Sequence, residues 1–387
     1  MNPNVMMQPP PPNVDGQRRL LSLDGGGIRG VLTLEVLRVI ETMVKDELGE
    51  EAVLSDYFDY FAGASTGALI ASCLARGWTI DELMDIYTTE GDKIFARVSM
   101  HKWLAILFRY KYASKELETL LTGRLGQSTV FGDQGFKSLL MVVLHNATTD
   151  SPWALSNNPA AKYNQLDRPD SNNLFPLWQV LRASTAAPLY FPAERVTVGS
   201  RDFVFVDGGI TPYNNPAFQL YLAATQPGYR LQWEQGHDKM LLVSVGTGSA
   251  PNTAHGRSAK RMGALYTATN LPKTFMNGAA YQQDLACRAI GHCVAGSPVD
   301  RQLGALMTEE DGHSPADRAF TYARFDAALT AHGLSDIGLA DMATPNTLKR
   351  LHKLDALENI DELREIGRRI GRSVVPAVFA DFPASGP

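Results

Sequence analysis

The sequence contains a serine between two glycines that could act as a nucleophile, in the motif Gly63-Ala64-Ser65-Thr66-Gly67. The motif stands between an apolar run at 56–62 and a small apolar segment at 66–76 that is predicted to form a buried helix. A G-x-S-x-G sequence at a strand–turn–helix junction is typical of a nucleophile elbow, where glycine at both flanking positions relieves crowding of the backbone. We expect the turn to lift Ser65 Oγ clear of a sheet, at a helix N-terminus that favours negative charge.

A glycine cluster, Asp24-Gly25-Gly26-Gly27-Ile28-Arg29-Gly30, follows an apolar strand that begins at Arg19. Glycines adopt positive φ and let a ligand approach the main-chain N–H groups. N–H groups at a helix start bind anions, here either a phosphate or the oxyanion of an acyl-transfer intermediate. No Gly-Lys-Ser/Thr follows, which excludes a P-loop. A dinucleotide-binding spacing can be fitted to Gly25, Gly27 and Gly30, and a plain strand-to-helix turn is a further alternative.

A carboxylate completes the set of candidate groups, in Asp207-Gly208-Gly209 after the strand-like run 203–206. A side chain at the carboxyl end of a strand is well placed to face a site at that edge of the sheet. The alternative interpretation is an ordinary Asp-Gly turn.

In this order the three motifs resemble the patatin family, which shows a D-G-G-G-x-R/K-G loop, a G-x-S-x-G elbow and a D-G-G/A motif. The segments 183–191 and 146–150 are also similar to bacterial members, and the resemblance covers about residues 19–250. It implies a Ser–Asp dyad in which Asp207 orients and deprotonates Ser65, and Ser65 attacks an ester carbonyl to form an acyl-enzyme.

The same resemblance implies that the N–H groups of Gly25, Gly26 and Gly27 form the oxyanion hole. Arg29 either steadies that loop or meets a lipid phosphate. The implied activity is that of a lipid acyl hydrolase of phospholipase A type, acting on phospholipids, galactolipids or other acyl lipids. An aspartate is a weak base at its usual pKa near 3.9, so the dyad requires burial or a close hydrogen bond.

A histidine base is the alternative, because a Ser–His–Asp triad is the usual solution in serine hydrolases. The eight histidines stand at 101, 145, 237, 255, 292, 313, 332 and 352, and none lies in a recognisable motif. His145 and His237 adjoin predicted strands and could approach a site.

Continuous apolar runs predict the strands that would position these motifs, at 19–24, 137–145, 202–206 and 240–245, with a helix at 31–48 and a loop at 146–173. Such runs suit a sheet covered on both faces. After 250 the pattern predicts helices at 259–290, 300–310, 315–331, 343–355 and 358–372. We therefore expect an α/β fold with a mainly parallel central sheet flanked by helices, a patatin-like three-layer α/β/α arrangement with a helical C-terminal portion.

The expected organisation is a disordered proline-rich tail at 1–18, a catalytic domain at 19–250 and a helical portion at 251–387 packed on that domain. The net charge of −5 argues against a nucleic-acid partner. Three scattered cysteines and the absence of H-E-x-x-H or EF-hand motifs predict no metal and no cofactor. With no signal peptide and no run of about 18–20 apolar residues, we expect a cytoplasmic protein whose membrane contact is peripheral.

Basic and aromatic residues occur together at 93–112, a composition that suits either an interfacial surface or a core helix with a solvated face. The rival function is a regulated effector that degrades membrane lipids after a small-molecule or protein activator binds, with the C-terminal portion as the control element. A nucleotide-binding protein that uses 24–30 is a second rival, although the acidic residue that binds ribose is missing.

Overall fold

The computed structural model describes residues 7–10, 16–91, 114–250, 264–298 and 314–384, with the backbone alone for 264–273. The predicted membrane-contact segment 93–112 and the predicted helix 300–310 lie outside these ranges, as does most of the predicted tail. Within that tail, Met7 is buried, and its amide donates to the carbonyl oxygen of Gly132 at 3.3 Å. The described residues of the tail thus contact the domain.

A nine-stranded mixed sheet forms the centre of the described chain, in the order β5-β6-β3-β2-β1-β7-β9-β8 with β4 beside β3. The strands are β1 Arg18–Leu23, β2 Tyr60–Ala64, β3 Leu139–Asn146, β4 Ser151–Ser156, β5 Glu194–Val198, β6 Arg201–Asp207, β7 Met240–Val245, β8 His292–Ala295 and β9 Thr321–Phe325. Neighbouring strands from β3 through β2, β1, β7 and β9 to β8 are parallel, whereas β4 and β6 run antiparallel to β3, and β5 to β6. Strands β1, β2 and β7 are buried along their whole length, as their continuous apolar runs predict.

Helices cover the sheet on both faces, so the predicted three-layer α/β/α class is confirmed. They are α1 Gly30–Leu48, α2 Leu54–Tyr57, α3 Thr66–Ala75, α4 Ile80–Thr89, α5 Ser114–Leu125, α6 Leu177–Ser184, α7 Ala217–Thr225, α8 Ala264–Ile290, α9 Ala331–Asp336, α10 Pro345–Leu351 and α11 Ile360–Gly371. Helix α1 buries the stripe of Leu34, Leu37, Ile40 and Val44, whose spacing predicts an amphipathic helix.

The structure corrects the sequence prediction in two segments. Strand β9 lies inside 315–331, where a helix was expected, and β4 lies inside the predicted loop 146–173. The first error has a physical reason, because the alanines that flank β9 favour helix, whereas Thr321, Tyr322 and Phe325 favour a strand that has a partner to pair with. Its partners are β7 and β8, and the pairing with β7 brings residues from beyond 250 into the central sheet.

The parallel register places the carboxyl ends of β1, β2, β7 and β9 at one edge of the sheet. The segments that follow these strands therefore converge there. Strand β6 runs antiparallel to β3, and its last residue, Asp207, pairs with Leu144 near the end of β3. The end of β6 therefore lies at the same edge. Ser65, the glycine cluster and Asp207 consequently meet at this edge.

Candidate active site

Ser65 occupies the sharp turn between β2 and α3 that the motif predicts. Its backbone has φ 54° and ψ −123°, a conformation that a residue with a side chain rarely adopts. A Cβ at Gly67 would stand 2.3 Å from the carbonyl oxygen of Leu23, and a Cβ at Gly63 would stand 2.1 Å from that of Gly67. Glycine is therefore required at both flanking positions, as the nucleophile-elbow interpretation expects.

Asp207 is the hydrogen-bond partner of the Ser65 hydroxyl. Ser65 Oγ donates to Asp207 Oδ2 at 2.7 Å, and the amide of Gly209 donates to Asp207 Oδ1 at 2.6 Å. Burial raises the pKa of Asp207 to about 6, against the opposing effects of the Gly209 amide, the Ser65 hydroxyl and the charge of Arg182. A carboxylate with this pKa can accept a proton near neutral pH, which a free aspartate does poorly.

The described histidines are those at 145, 237, 292, 332 and 352, and none of these five is hydrogen-bonded to Ser65 or Asp207. His145 Nε2 lies 3.3 Å from Asp150 Oδ1, and His352 Nε2 lies 2.8 Å from the carbonyl oxygen of Leu329. The histidines at 101, 255 and 313 lie outside the described residues. Among the described residues, the side chain that is hydrogen-bonded to Ser65 Oγ is therefore that of Asp207.

The glycine cluster lies against the nucleophile, since a Cβ at Gly25 would stand 3.2 Å from Ser65 Cβ. The amide of Gly25 donates to the carbonyl oxygen of Asn214 at 3.1 Å. Within the described part of the chain, the amides of Gly26 and Gly27 donate to no acceptor, and Gly27 has a φ of 61° that favours glycine. Of the three predicted oxyanion donors, the structure thus leaves Gly26 and Gly27 available.

Arg29 is buried behind this loop. Its Nη1 donates to the carbonyl oxygen of Gly248 at 2.9 Å and its Nε to that of Gly26 at 3.4 Å. Burial lowers the pKa of Arg29 to about 10. Of its two predicted roles, these contacts match that of steadying the loop.

Asp24, the first residue of the glycine cluster, forms a buried ion pair that the sequence analysis missed. Arg324 on β9 donates from Nη1 to Asp24 Oδ1 at 2.8 Å and from Nη2 to Asp24 Oδ2 at 2.6 Å. Burial raises the pKa of Asp24 to about 6, and the charge of Arg324 opposes this increase. Arg324 escaped notice because its segment was assigned to a helix, although a single arginine among strand-forming residues was a usable signal.

Further contacts from beyond 245 hold the same loop. Thr247 Oγ1 donates to the carbonyl oxygen of Gly25 at 3.0 Å, and the amide of Ile28 donates to that of Leu354 at 2.8 Å. A Cβ at Gly27 would stand 2.2 Å from the same Leu354 oxygen. The C-terminal residues therefore shape the loop beside Ser65 and are part of the site.

Among the described residues, no group of three or more His, Cys, Asp or Glu side chains is arranged to hold a metal ion. No helix among the described residues is long and apolar enough to cross a membrane.

The fold is a mainly parallel α/β sheet that carries a serine on a strand–turn–helix elbow. This combination defines the class of α/β proteins with a nucleophile elbow. The family model described as patatin-like phospholipase matches residues 21–221, and the chain belongs to this family. The match ends before β7, β9 and Leu354. These elements contact the glycine cluster, which lies within the match, from outside the matched region.

Three curated relatives illustrate the similarity. The chain is 30% identical to an intracellular phospholipase A2 of Caenorhabditis elegans over 73% of its own length and 25% of that protein. It is 29% identical to patatin-like protein 1 of Oryza sativa subsp. indica, covering 97% of the chain and 88% of that protein. It is also 29% identical to a cGAMP-activated phospholipase of Vibrio cholerae, covering 54% of the chain and 59% of that protein.

Proposed function

We propose that this chain is a phospholipase A-type lipid acyl hydrolase with Ser65 as nucleophile and Asp207 as base. The observation that carries the proposal is the 2.7 Å hydrogen bond between Ser65 Oγ and the buried carboxylate of Asp207. The phospholipase A2 name of the worm relative supports the substrate class.

Asp207 accepts the proton of Ser65 Oγ as this oxygen attacks the acyl carbonyl of the lipid. The amides of Gly26 and Gly27 stabilise the negative oxygen of the tetrahedral intermediate. Collapse of the intermediate breaks the ester bond, and Asp207 returns the proton to the departing glycerol oxygen. Water, deprotonated by Asp207, then attacks the acyl-serine. Asp207 returns this proton to the departing Ser65 Oγ, which releases the fatty acid and restores the dyad.

Release of fatty acid from mixed phospholipid vesicles tests the proposed function directly. The wild-type chain should release free fatty acid and lysophospholipid, and Ser65→Ala should release neither. Equal release by the two proteins would assign the activity to a contaminant or to another residue. No release by the wild type, with or without added cell extract, would contradict the proposed function.

We expect the rate of fatty-acid release to depend on pH through Asp207. The base works only when ionised, and its pKa is about 6. The rate should therefore rise as pH increases through about 6 and level off above it. A profile of kcat/KM between pH 4 and 9 on a soluble ester checks this. An acid limb near pH 4, or a flat profile, would contradict the assignment of Asp207 as the base.

Two exposed apolar residues lie close to the dyad in the sequence and are our candidates for contact with acyl chains. Leu189 is 79% exposed and has a φ of 73°, three residues after Ala186, whose carbonyl oxygen accepts from the amide of Asp207. Ile210, three residues after Asp207, is 40% exposed.

Peripheral contact with the membrane through 93–112 is part of the proposal. The double replacement Trp103→Ser and Phe108→Ser should weaken co-sedimentation with phospholipid vesicles and leave the folded fraction unchanged. Tyr163→Ser, at an exposed aromatic residue outside this segment, serves as the control and should bind as the wild type does. Loss of solubility in the double variant would instead favour the core-helix interpretation.

Control of this activity by an activator is the second candidate, because one relative is named a cGAMP-activated phospholipase. Fatty-acid release that appears only after a cyclic dinucleotide or a cell extract is added would favour it.

The nucleotide-binding alternative for 24–30 is tested by calorimetry with ATP and NAD, and we expect no heat of binding.

A further inference from the structure

The hydroxyl of Ser184 lies at the end of α6, buried between the nucleophile turn and β3. It accepts a hydrogen bond from the amide of Ser65 at 3.0 Å and donates one to the carbonyl oxygen of Val143 at 2.7 Å. Its side chain is fully buried. Both hydrogen-bonding functions of this hydroxyl are therefore used by main-chain groups of the site.

The same segment also holds the base. The carbonyl oxygen of Ala186 accepts from the amide of Asp207 at 3.0 Å. A Cβ at Gly208 would stand 2.1 Å from the carbonyl oxygen of Val143, so that oxygen lies between the Ser184 hydroxyl and the turn after Asp207. Residues 184–186 thus bind the main chain of both members of the dyad.

This support matters because the backbone of Ser65 is strained. Its carbonyl oxygen is held by the first turn of α3, where the amides of Ala68 and Leu69 donate at 3.0 and 3.2 Å. Its amide is held by Ser184. A residue persists in such a conformation only when its surroundings determine it from several sides. Without Ser184 the amide side of the turn would lose its acceptor.

We propose that Ser184 is a positioning residue that fixes the Ser65 backbone so that the Ser65 hydroxyl points at Asp207. Ser184 is distinct from the catalytic residues because its hydroxyl is occupied by two main-chain groups, one at Ser65 and one at Val143. The inference rests on the proposed function. It assigns a role to the segment 183–191, for which the sequence showed only a resemblance.

Ser184→Ala should slow hydrolysis of a soluble short-chain ester about 100-fold, the order expected for a misplaced nucleophile. The loss should fall on kcat, with KM unchanged, because no contact with the substrate is removed. Labelling of Ser65 by a fluorophosphonate should slow by a similar factor. Ser184→Thr keeps the hydroxyl and should recover most of the rate.

Ser138→Ala is the matched control. Ser138 is fully buried directly before β3, at the opposite end of that strand, and its Oγ lies 3.1 Å and 2.8 Å from the carbonyl oxygens of Ser55 and Phe58. This variant loses comparable hydrogen bonds away from the site, so its rate per folded molecule should equal that of the wild type. Equal losses in Ser138→Ala and Ser184→Ala would reduce Ser184 to a structural role and overturn the inference.

The outcomes separate this inference from the proposed function. If the folded wild type is not labelled at Ser65, the proposed nucleophile fails, and the inference fails with it. If the wild type is labelled and Ser184→Ala reacts at the same rate, only the inference fails. Should Ser184→Ala not fold, Ser184→Cys preserves the volume and weakens both bonds. A wild-type rate in that variant would contradict the inference, and an intermediate rate would support it.

Discussion

Replacement of Asp207 by Asn should lower the rate of fatty-acid release at least about 10⁴-fold, the order of loss when the group that serves a serine nucleophile is removed. Asparagine keeps the shape of the side chain and can still accept from the Gly209 amide, but it cannot take the proton of Ser65 Oγ. The measurement is kcat on phospholipid vesicles and on a soluble ester. A loss of less than tenfold would contradict the role of Asp207 as base.

The same variant should be more stable than the wild type above neutral pH. Burial raises the folded-state pKa of Asp207 to about 6, above the value near 3.9 in the unfolded chain, so ionisation disfavours folding as pH rises through that range. Removing the carboxylate should therefore increase the free energy of unfolding at pH 8 by up to about 2–3 kcal/mol, and the gain should vanish below about pH 4.

Asp59→Asn is the control for the loss of rate. Asp59 directly precedes β2, at the opposite end of the strand from Ser65, and it accepts from the amide of Arg19 at 2.7 Å and from Arg18 Nη1 at 3.2 Å. Burial raises the pKa of Asp59 as it does that of Asp207, but Asp59 lies away from the site, so the rate per folded molecule should stay at the wild-type level. Equal loss of rate in both variants would mean that folding, rather than chemistry, limits the measured activity.

Replacement of Arg324 by Met should lower the free energy of unfolding by about 3–5 kcal/mol, because it leaves the carboxylate of Asp24 buried without its partner. Both groups are almost fully buried and share two hydrogen bonds. Asp24 begins the glycine cluster, so the rate of fatty-acid release should also fall in the fraction that remains folded. Urea unfolding and kcat measured on the folded fraction check the two effects separately.

Arg168→Ala is the matched control for this pair. Arg168 also makes two hydrogen bonds to one carboxylate, that of Asp170, both at 2.9 Å, but the pair is partly exposed at the surface. We expect little change in either stability or rate. Wild-type activity in folded Arg324→Met would show that the C-terminal strand stabilises the fold without shaping the glycine cluster.

The sequence was sufficient for the parts of the site that depend on local chemistry. Ser65 needs a turn that only flanking glycines allow, and the strand before Asp207 predicts its place at the edge of the sheet. These features depend on a few consecutive residues, so composition and spacing are enough to predict them. The α/β class followed for the same reason, since buried parallel strands have continuous apolar sequences.

The partners of these residues could not be predicted because they come from distant segments. Arg324 reaches Asp24 only because β9 pairs with β7, and a five-residue strand between alanine-rich segments carries little signal of its own. Tertiary packing likewise produces the hydrogen bond from the Ser65 amide to Ser184. It also produces the bond from the Gly25 amide to Asn214, which removes this amide from the set of available oxyanion donors. Local sequence fixes neither the donor nor the acceptor in such pairs.

Covalent labelling with a fluorophosphonate probe, followed by mapping of the modified peptide, tests the central claim most directly. We predict that the wild type is labelled at Ser65, that Ser65→Ala is not labelled, and that Asp207→Asn is labelled far more slowly. Labelling of the folded wild type at another serine, or no labelling with or without an added cell extract, would contradict the assignment of Ser65 and Asp207.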